Sequence, residues 1–357
     1  AQSLGKKALS RFPWVRLVSG PRHIGLLPDG LERVMRDGAR VDLLDENPRD
    51  FFDLDEFTAR RENPWRAYVT IAHGCDNFCT YCIVPYVRGR FLSRPTEEIL
   101  REVRLLAASG VREITLLGQN VNSYGKDRSD GTTFSSLLRG VARVEGIDLV
   151  RFVTSLPQDF TEDIVEVMAS ERAVCPSLNL PIQAGSDRIL KLMNRKYTRA
   201  EYLDKVRMVR GALPELGLTS DLIVGFPGET EEDFEASVSA LEAIRFDLVH
   251  TAAYSERAGT PAATMPGALP QAVRLSRLTR INAVQDAVTL SINKGLVGRT
   301  YRVLADSPAP KGIGLLQGRT PTDKVLLFPG KESMLGGFVT VRVTEAESWC
   351  LHGEILE

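Results

Sequence analysis

Cysteine is scarce in this sequence, with five in 357 residues. A secreted scaffold held by disulfides is shorter and disperses its cysteines in pairs. Here three of the five fall between positions 75 and 82, while Cys175 and Cys350 stand alone. That distribution fits a reducing compartment and clustered thiolates that bind metal. An excess of charge is lacking too. Lysine plus arginine (45) balances aspartate plus glutamate (46), for a formal net charge of -1. No global field therefore draws the chain to nucleic acid or to an anionic membrane. Near-neutrality argues only weakly against RNA, since RNA-binding enzymes need not be basic overall. No apolar run approaches the ~20 residues that span a bilayer. The opening Ala1-Gln-Ser-Leu-Gly-Lys-Lys7 has no apolar signal-peptide core. These absences predict a cytoplasmic chain without membrane contact.

What is present is ordinary globular material, 43% hydrophobic and 25% charged, of a length that suits two or three domains. In residues 1–62, Val15-Arg-Leu-Val18 and Gly25-Leu-Leu27 read as strands of a small α/β unit. The polar, proline-broken run from Asp45 to Glu56 reads as a linker. From Trp65 strands alternate with amphipathic helices. Strands are expected at 67–72, 113–117, 149–154, 178–182, 219–224 and 248–251. Helices are expected at 95–109, 134–144, 161–170, 186–194, 198–211 and 230–244. Six such repeats specify a parallel sheet, either doubly wound or closed into a barrel. A helix over 271–294 leads into short β-rich runs such as Thr300-Tyr-Arg-Val-Leu304 and Phe338-Val-Thr-Val-Arg-Val343, separated by Gly and Pro. That texture predicts a small antiparallel barrel. The expected domains are 1–62, 63–292 and 293–357.

Cys75-Asp-Asn-Phe-Cys79-Thr-Tyr-Cys82 follows the first strand of the repeats, where β/α proteins place their chemistry. The CxxxCxxC spacing lets a short loop wrap three thiolates around one corner of an iron–sulfur cube. Four cysteines would complete a cubane for plain electron transfer, and no fourth lies nearby. One iron then stays open to chelate the amino and carboxylate groups of S-adenosylmethionine (SAM). The competing reading is a zinc site with His73 as fourth ligand, although zinc knuckles usually bring two ligand pairs.

The CxxxCx(aromatic)C pattern resembles the radical SAM superfamily, in which one electron cleaves SAM to a 5′-deoxyadenosyl radical. The resemblance places Tyr81 near the adenine. It extends along the chain. Cys82-Ile-Val-Pro-Tyr-Val-Arg-Gly-Arg-Phe-Leu-Ser-Arg-Pro95 is similar to the methylthiotransferases. Leu116-Leu-Gly-Gln-Asn-Val-Asn-Ser-Tyr-Gly125 is similar to their branch that modifies isopentenyl-adenosine in tRNA. Leu180-Pro-Ile-Gln-Ala-Gly-Ser-Asp187, Lys191-Leu-Met-Asn-Arg-Lys-Tyr-Thr198 and Asp221-Leu-Ile-Val-Gly-Phe-Pro-Gly-Glu-Thr230 match as well. The resemblance implies a partial (β/α)6 radical SAM barrel, a remnant of an N-terminal α/β domain and a C-terminal TRAM barrel that binds RNA. It implies methylthiolation of C2 of N6-isopentenyladenosine beside the anticodon, with one SAM as methyl source and another as radical source. The implied partners are the tRNA anticodon stem-loop and an electron donor such as flavodoxin or ferredoxin. Related enzymes acting on threonylcarbamoyladenosine or on a ribosomal protein, and an RNA-binding fragment without turnover, are the alternatives.

Candidate cofactor contacts are Gly118, Gln119 and Asn120 after the second strand, with Ser155, Gln183 and Asp221 at later strand ends. Glycine permits close approach, and the amides donate or accept. Each polar residue has an alternative role in loop packing or capping. Gly225-Phe-Pro-Gly-Glu-Thr230 reads as a tight turn whose glycines serve structure. Arg88, Arg90 and Arg94 form a basic patch beside the cysteines, for phosphate or for ordering the SAM pocket, with a solvated face as the alternative. Arg299, Arg302, Lys311 and Arg319 mark an RNA face on the terminal barrel, with Tyr301 or Phe328 as stacking candidates and a core role favoured for Phe328.

The family resemblance also implies a second [4Fe–4S] cluster on three N-terminal cysteines, the third in a Gly-Cys-Met-Ala-Gln-like stretch. This sequence opens at Ala1-Gln2, so those ligands are absent from it, and an N-terminally truncated methylthiotransferase is expected. Ser155-Leu156-Pro157 and Asn179-Leu180-Pro181 stand where relatives often have Ser-His-Pro and His-Leu-Pro.

Overall fold

The computed structural model describes residues 4–20, 23–44, 61–310, 312 and 314–356. The expected linker from Asp45 to Glu56 and the candidate Lys311 lie outside them. At the N-terminal end, α1 (Lys7–Arg11) precedes a β-α-β unit. β1 (Leu17–Ser19) and β2 (Val41–Leu43) pair in parallel, with α2 (Leu27–Asp37) between them. The strand expected at Gly25–Leu27 is not formed, because Ile24–Leu26 is a 3-10 turn running into α2. Pro28 explains the difference. In a first helical turn its missing N–H costs nothing and its fixed φ suits the helix.

The middle of the chain begins with β3 (Arg66–Thr70). β4 (Ala72–His73) and β5 (Leu92–Ser93) pair antiparallel around the cysteine loop and α3 (Val84–Arg88). There follow α4 (Thr96–Ala108), β6 (Glu113–Leu117), α5 (Phe134–Ala142), β7 (Leu149–Phe152) and α6 (Glu162–Ser170). Next come β8 (Ser177–Asn179), α7 (Asp187–Leu192), α8 (Arg199–Ala212), β9 (Gly217–Val224), α9 (Glu231–Ile244), β10 (Leu248–Ala253) and α10 (Gln271–Lys294). Strands β3-β6-β7 and β8-β9-β10 are parallel, and a Val150–Val174 bridge joins the two halves. Spatial order therefore follows chain order without the reversal of a doubly wound sheet. The sheet curls one way, and the result is a partial (β/α)6 barrel. Its strands bury Ile114, Leu116, Val150, Phe152, Leu218 and Val224, as expected where helices cover the outer face. Reciprocal capping boxes at Thr133/Ser136, Thr198/Glu201 and Thr230/Asp233 start α5, α8 and α9.

The C-terminal sheet comprises β11 (Thr300–Leu304), β12 (Ser307–Pro308), β13 (Leu315–Arg319), β14 (Val325–Pro329), β15 (Phe338–Ala346) and β16 (Leu351–Ile355). Its order is β11-β15-β16-β14-β13-β12, antiparallel except for the β14–β16 pair. The sheet curls until β13 crosses β11. A Cβ on Gly318 would stand 2.4 Å from the Leu304 carbonyl oxygen, so only glycine fits the crossing. Phe328 is fully buried in this small core and is not available for stacking, in line with its favoured role.

The sheet seats on the N-terminal ends of the barrel strands. Arg66, first in β3, pairs with Asp306 (2.8 Å) and Glu113 (3.0 Å). Arg151 of β7 donates to the carbonyls of Thr320 (2.9 Å) and Pro321 (3.0 Å), and Lys324 pairs with Asp247 (2.7 Å). At Gly217, first in β9, a Cβ would meet the Thr322 carbonyl oxygen at 2.4 Å. With that end occupied, the C-terminal ends of the strands remain for chemistry.

Candidate functional site

The cysteine loop is clamped from two sides. Cys75 N–H donates to the Gly89 carbonyl (3.2 Å), and Asp76 accepts from Phe91 N–H (3.1 Å). On the other side the C-terminal end of α7 offers carbonyls that the helix itself leaves unpaired. Thr80 N–H bonds the Met193 carbonyl (3.1 Å), and its hydroxyl bonds that of Leu192 (2.9 Å). Asn194 Nδ2 donates to the Phe78 carbonyl (2.9 Å) and so fixes Phe78, a non-glycine residue held at φ +45°. The loop thus brings Cys75, Cys79 and Cys82 to one cavity as free, half-buried thiols.

Thiolates on one tetrahedral zinc stand about 3.8 Å apart, given ~2.3 Å bonds, whereas a cube takes its thiolates on separate irons, farther apart. Cys75, Cys79 and Cys82 do not all lie within 4.8 Å of one another, which suits the cube better than a single zinc ion. The donor chemistry agrees. Asn77 Nδ2 is 3.3 Å from Cys75 Sγ, and Arg195 Nη1 is 3.6 Å from Cys79 Sγ. Burial, followed by the charges of Cys79 and Cys75, raises the pKa of Cys82; the Val84 N–H and Arg195 oppose that rise. Three crowded thiolates therefore need positive charge. Arg195 supplies one, buried and lying over the Tyr197 ring at 5.8 Å.

The cavity encloses about 980 Å³ and reaches from the cysteines to residues 322–325 and 348–350 of the C-terminal sheet. Of the candidate cofactor contacts, Tyr81, Gly118, Gln119, Gln183 and Asp221 line it. Gln119 Oε1 is buried without a partner, an acceptor left for a donor on a ligand. Asn179, at the position where relatives often carry histidine, also lines the cavity and donates to Asp221 Oδ2 (3.3 Å). Asn120 does not line it; its Nδ2 is spent on Ser123 (2.6 Å) and Asp159 (2.5 Å), which hold the 3-10 turn at 121–123. Ser155 is fully buried behind the wall, between lining residues Thr154 and Leu156, with its hydroxyl unpartnered. Thr154 and Gln183 both sit at φ +69°, a conformation costly for a β-branched residue above all. Two strained residues thus share one wall of the cavity.

The Gly225–Thr230 turn is structural. Glu229 accepts from Gly225 N–H (2.6 Å) and from Arg277 of α10 (2.6 Å), and a Cβ on Gly225 would strike Arg274. The basic residues divide. Arg94 is buried, bonding the Thr70 carbonyl and Glu102, and is withdrawn from any phosphate. Arg90 pairs with Asp76 and lies over Phe78. Arg88 is exposed, with no ion pair among the described residues. Arg299 pairs with Glu215, Arg302 lies over Phe338 (3.6 Å) beside Asp148, and Arg319 pairs with Asp323 (2.8 Å). The arginines read as an RNA face are therefore engaged by carboxylates of the same chain. Tyr301 is half-buried against the small core.

Arg195, Asn179 and Thr154 were not singled out as contacts. Arg195 lies within the Lys191–Thr198 motif, and only the folded chain reveals its approach to Cys79. Cys175 is buried, and burial pushes its thiol up to about 11 against the pull of Arg151, so it is a poor ligand.

Profiles of the radical SAM superfamily and of the TRAM domain match residues 69–241 and 294–356. Coproporphyrinogen III oxidase of Escherichia coli shares the fold, with a TM-score of 0.51 at 13% identity over 80% of this chain and 68% of that one. Barrel, cysteine loop and profile together define a radical SAM enzyme, a class that carries a [4Fe–4S] cluster and SAM. A curated relative from Carboxydothermus hydrogenoformans is 43% identical over 99% of this chain and 80% of its own length. Another, from Moorella thermoacetica, is 45% identical over 99% and 79%. Both are described as tRNA-2-methylthio-N(6)-dimethylallyladenosine synthase, and the chain belongs to that family.

Proposed function

We propose that the chain is a tRNA methylthiotransferase that acts at C2 of N6-isopentenyladenosine beside the anticodon. The observation that carries this reading is the convergence of three spaced thiols and a buried arginine at one end of a cavity walled by Gln119, Gln183 and Asp221. When bound, the cluster and SAM supply the one-electron chemistry that an unactivated C–H bond requires. Cys75, Cys79 and Cys82 would hold the cluster, and Arg195 would offset the charge of their thiolates. Tyr81 would pack beside the adenine of SAM. Gln119, with its free acceptor, and Asp221, held by Asn179, would orient its amino and hydroxyl groups. Gly118 would allow the approach. The anticodon stem-loop is met by Arg88 and by the exposed Phe78–Tyr86 edge pair (centroids 6.0 Å apart), a base-stacking and phosphate-binding combination. A flavodoxin or ferredoxin delivers the electron. Residues 1–62, 63–292 and 293–357 are read as three units, the last binding RNA.

The test measures 5′-deoxyadenosine release by the anaerobically reconstituted chain with three anticodon stem-loops. Stimulation by the isopentenyl-adenosine form, above the unmodified and threonylcarbamoyl forms, is expected. Equal response to all three, or preference for threonylcarbamoyl, would overturn the substrate assignment.

A further inference from the structure

The turn between β15 and β16, together with the start of β16, gathers three metal-ligating side chains far along the chain from the cluster cysteines. Glu347, Cys350 and His352 present one oxygen, one sulfur and one imidazole nitrogen, all within 4.8 Å of one another. We propose that these residues form a site for a single zinc-class divalent cation, separate from the iron–sulfur cluster.

The distances between donors carry the argument. Cys350 Sγ is 3.6 Å from His352 Nε2, His352 Nε2 is 3.4 Å from Glu347 Oε1, and Cys350 Sγ is 3.8 Å from Glu347 Oε2. Bond lengths of about 2.3 Å to sulfur and 2.0–2.2 Å to nitrogen and oxygen predict tetrahedral edges of about 3.5, 3.4 and 3.6 Å. The observed separations lie near those edges, with His352 facing Oε1 and Cys350 facing Oε2 of the Glu347 carboxylate, and one ligand atom from each residue lies within 4.8 Å of the other two. The His352–Glu347 separation is long for a direct nitrogen–oxygen hydrogen bond, and the two sulfur separations are those of weak hydrogen bonds to the thiol in the ion's absence. A thiolate with an imidazole selects a borderline-soft ion over calcium or magnesium. Three protein ligands leave a fourth position for water.

The backbone holds the donors in place before any ion arrives. Glu347 N–H bonds the Cys350 carbonyl (2.9 Å) across the turn. Asn293, near the end of α10, donates to the Glu347 (2.7 Å) and Ser348 (3.3 Å) carbonyls. The Thr344 hydroxyl donates to the His352 carbonyl (3.3 Å). Binding converts the Cys350 thiol to a metal thiolate and releases its proton to solvent. The ion would fix the turn that carries Trp349, which is 72% exposed and borders the far part of the cavity.

The test uses Co²⁺ as a spectroscopic probe on the full chain carrying Cys75→Ser, Cys79→Ser and Cys82→Ser, which removes the cluster thiols and leaves only the buried Cys175 besides Cys350. One cobalt per chain with a thiolate-to-cobalt charge-transfer band is expected. The band should vanish when Cys350→Ser is added and weaken with His352→Ala. Absence of the band, or a band indifferent to Cys350→Ser, would overturn the site and leave a hydrogen-bonded trio only. As a second measurement, zinc is determined in the iron-loaded chain with its cluster cysteines intact, with and without Cys350→Ser. Loss of one zinc in the variant supports the site, and equal zinc content refutes it.

Discussion

Arg151→Met should loosen the C-terminal sheet from the barrel while leaving the cysteine loop intact. The guanidinium is 3% exposed and donates to the Thr320 and Pro321 carbonyls at 2.9 and 3.0 Å, and to Ser177 Oγ at 3.3 Å. A hydrogen bond from a charged donor contributes about 1.5–3 kcal/mol, and removing one member of a buried ion pair costs about 3–5 kcal/mol. The carboxylates it faces keep other partners, Arg66 for Glu113 (3.0 Å) and Arg319 for Asp323 (2.8 Å). Neither charge is stranded, so the low end applies, about 3 kcal/mol. At about 1.4 kcal/mol per tenfold, amides of the 320–324 turn should exchange hydrogen on the order of 100-fold faster. Amides of β3, β6 and the cysteine loop should be unchanged, as should iron loading. Unaltered exchange at the turn would refute the docking account. An equal loss of protection throughout the chain would refute the separation of seat from site.

Two further predictions concern other links. At the start of α9, burial alone would raise the Asp233 pKa, but bonds from Arg188, Ser186 and Thr230 hold it well below the usual carboxylate range. A depressed carboxyl contributes stability above its unfolded pKa of about 3.9, and that stability is lost as pH falls below it. Asp233→Asn should therefore cost about 2 kcal/mol at pH 7 and progressively less below about pH 4, read by urea denaturation at the two acidities; a gap independent of pH would count against the assignment. Arg88→Ala should weaken binding of all tRNAs alike and lower the salt slope by about 1, with tRNA-independent SAM cleavage unchanged. A slope identical to that of the parent chain would remove Arg88 from the RNA face.

The barrel was legible because its strands and helices are strongly periodic and their ends carry local signals. Pro95 and Gly110 bracket α4 (Thr96–Ala108), and Thr198 and Thr230 cap α8 and α9. Closure was not legible, since open and curled sheets share the same repeats, and the strand order decides between them. Gly25–Leu27 misled because three apolar residues carry no period, and Pro28 tipped the segment into a helix. The cysteines announced themselves by spacing. Their surroundings did not: Arg195 reaches Cys79 across 116 residues of sequence. Asn120 and Ser155 lie beside lining residues, but a strand end turns successive side chains in different directions. Arg299 and Arg302 looked free because their partners Glu215 and Asp148 belong to the barrel.

The central claim is that Cys75, Cys79 and Cys82 hold a cluster with one iron open to SAM. Its most direct test is anaerobic reconstitution with iron and sulfide, followed by measurement of iron content and of 5′-deoxyadenosine formed from SAM with dithionite. The account predicts about four irons per chain and SAM cleavage, with cleavage abolished in Cys79→Ala. Zinc in place of iron, or an assembled cluster that leaves SAM intact, would contradict it.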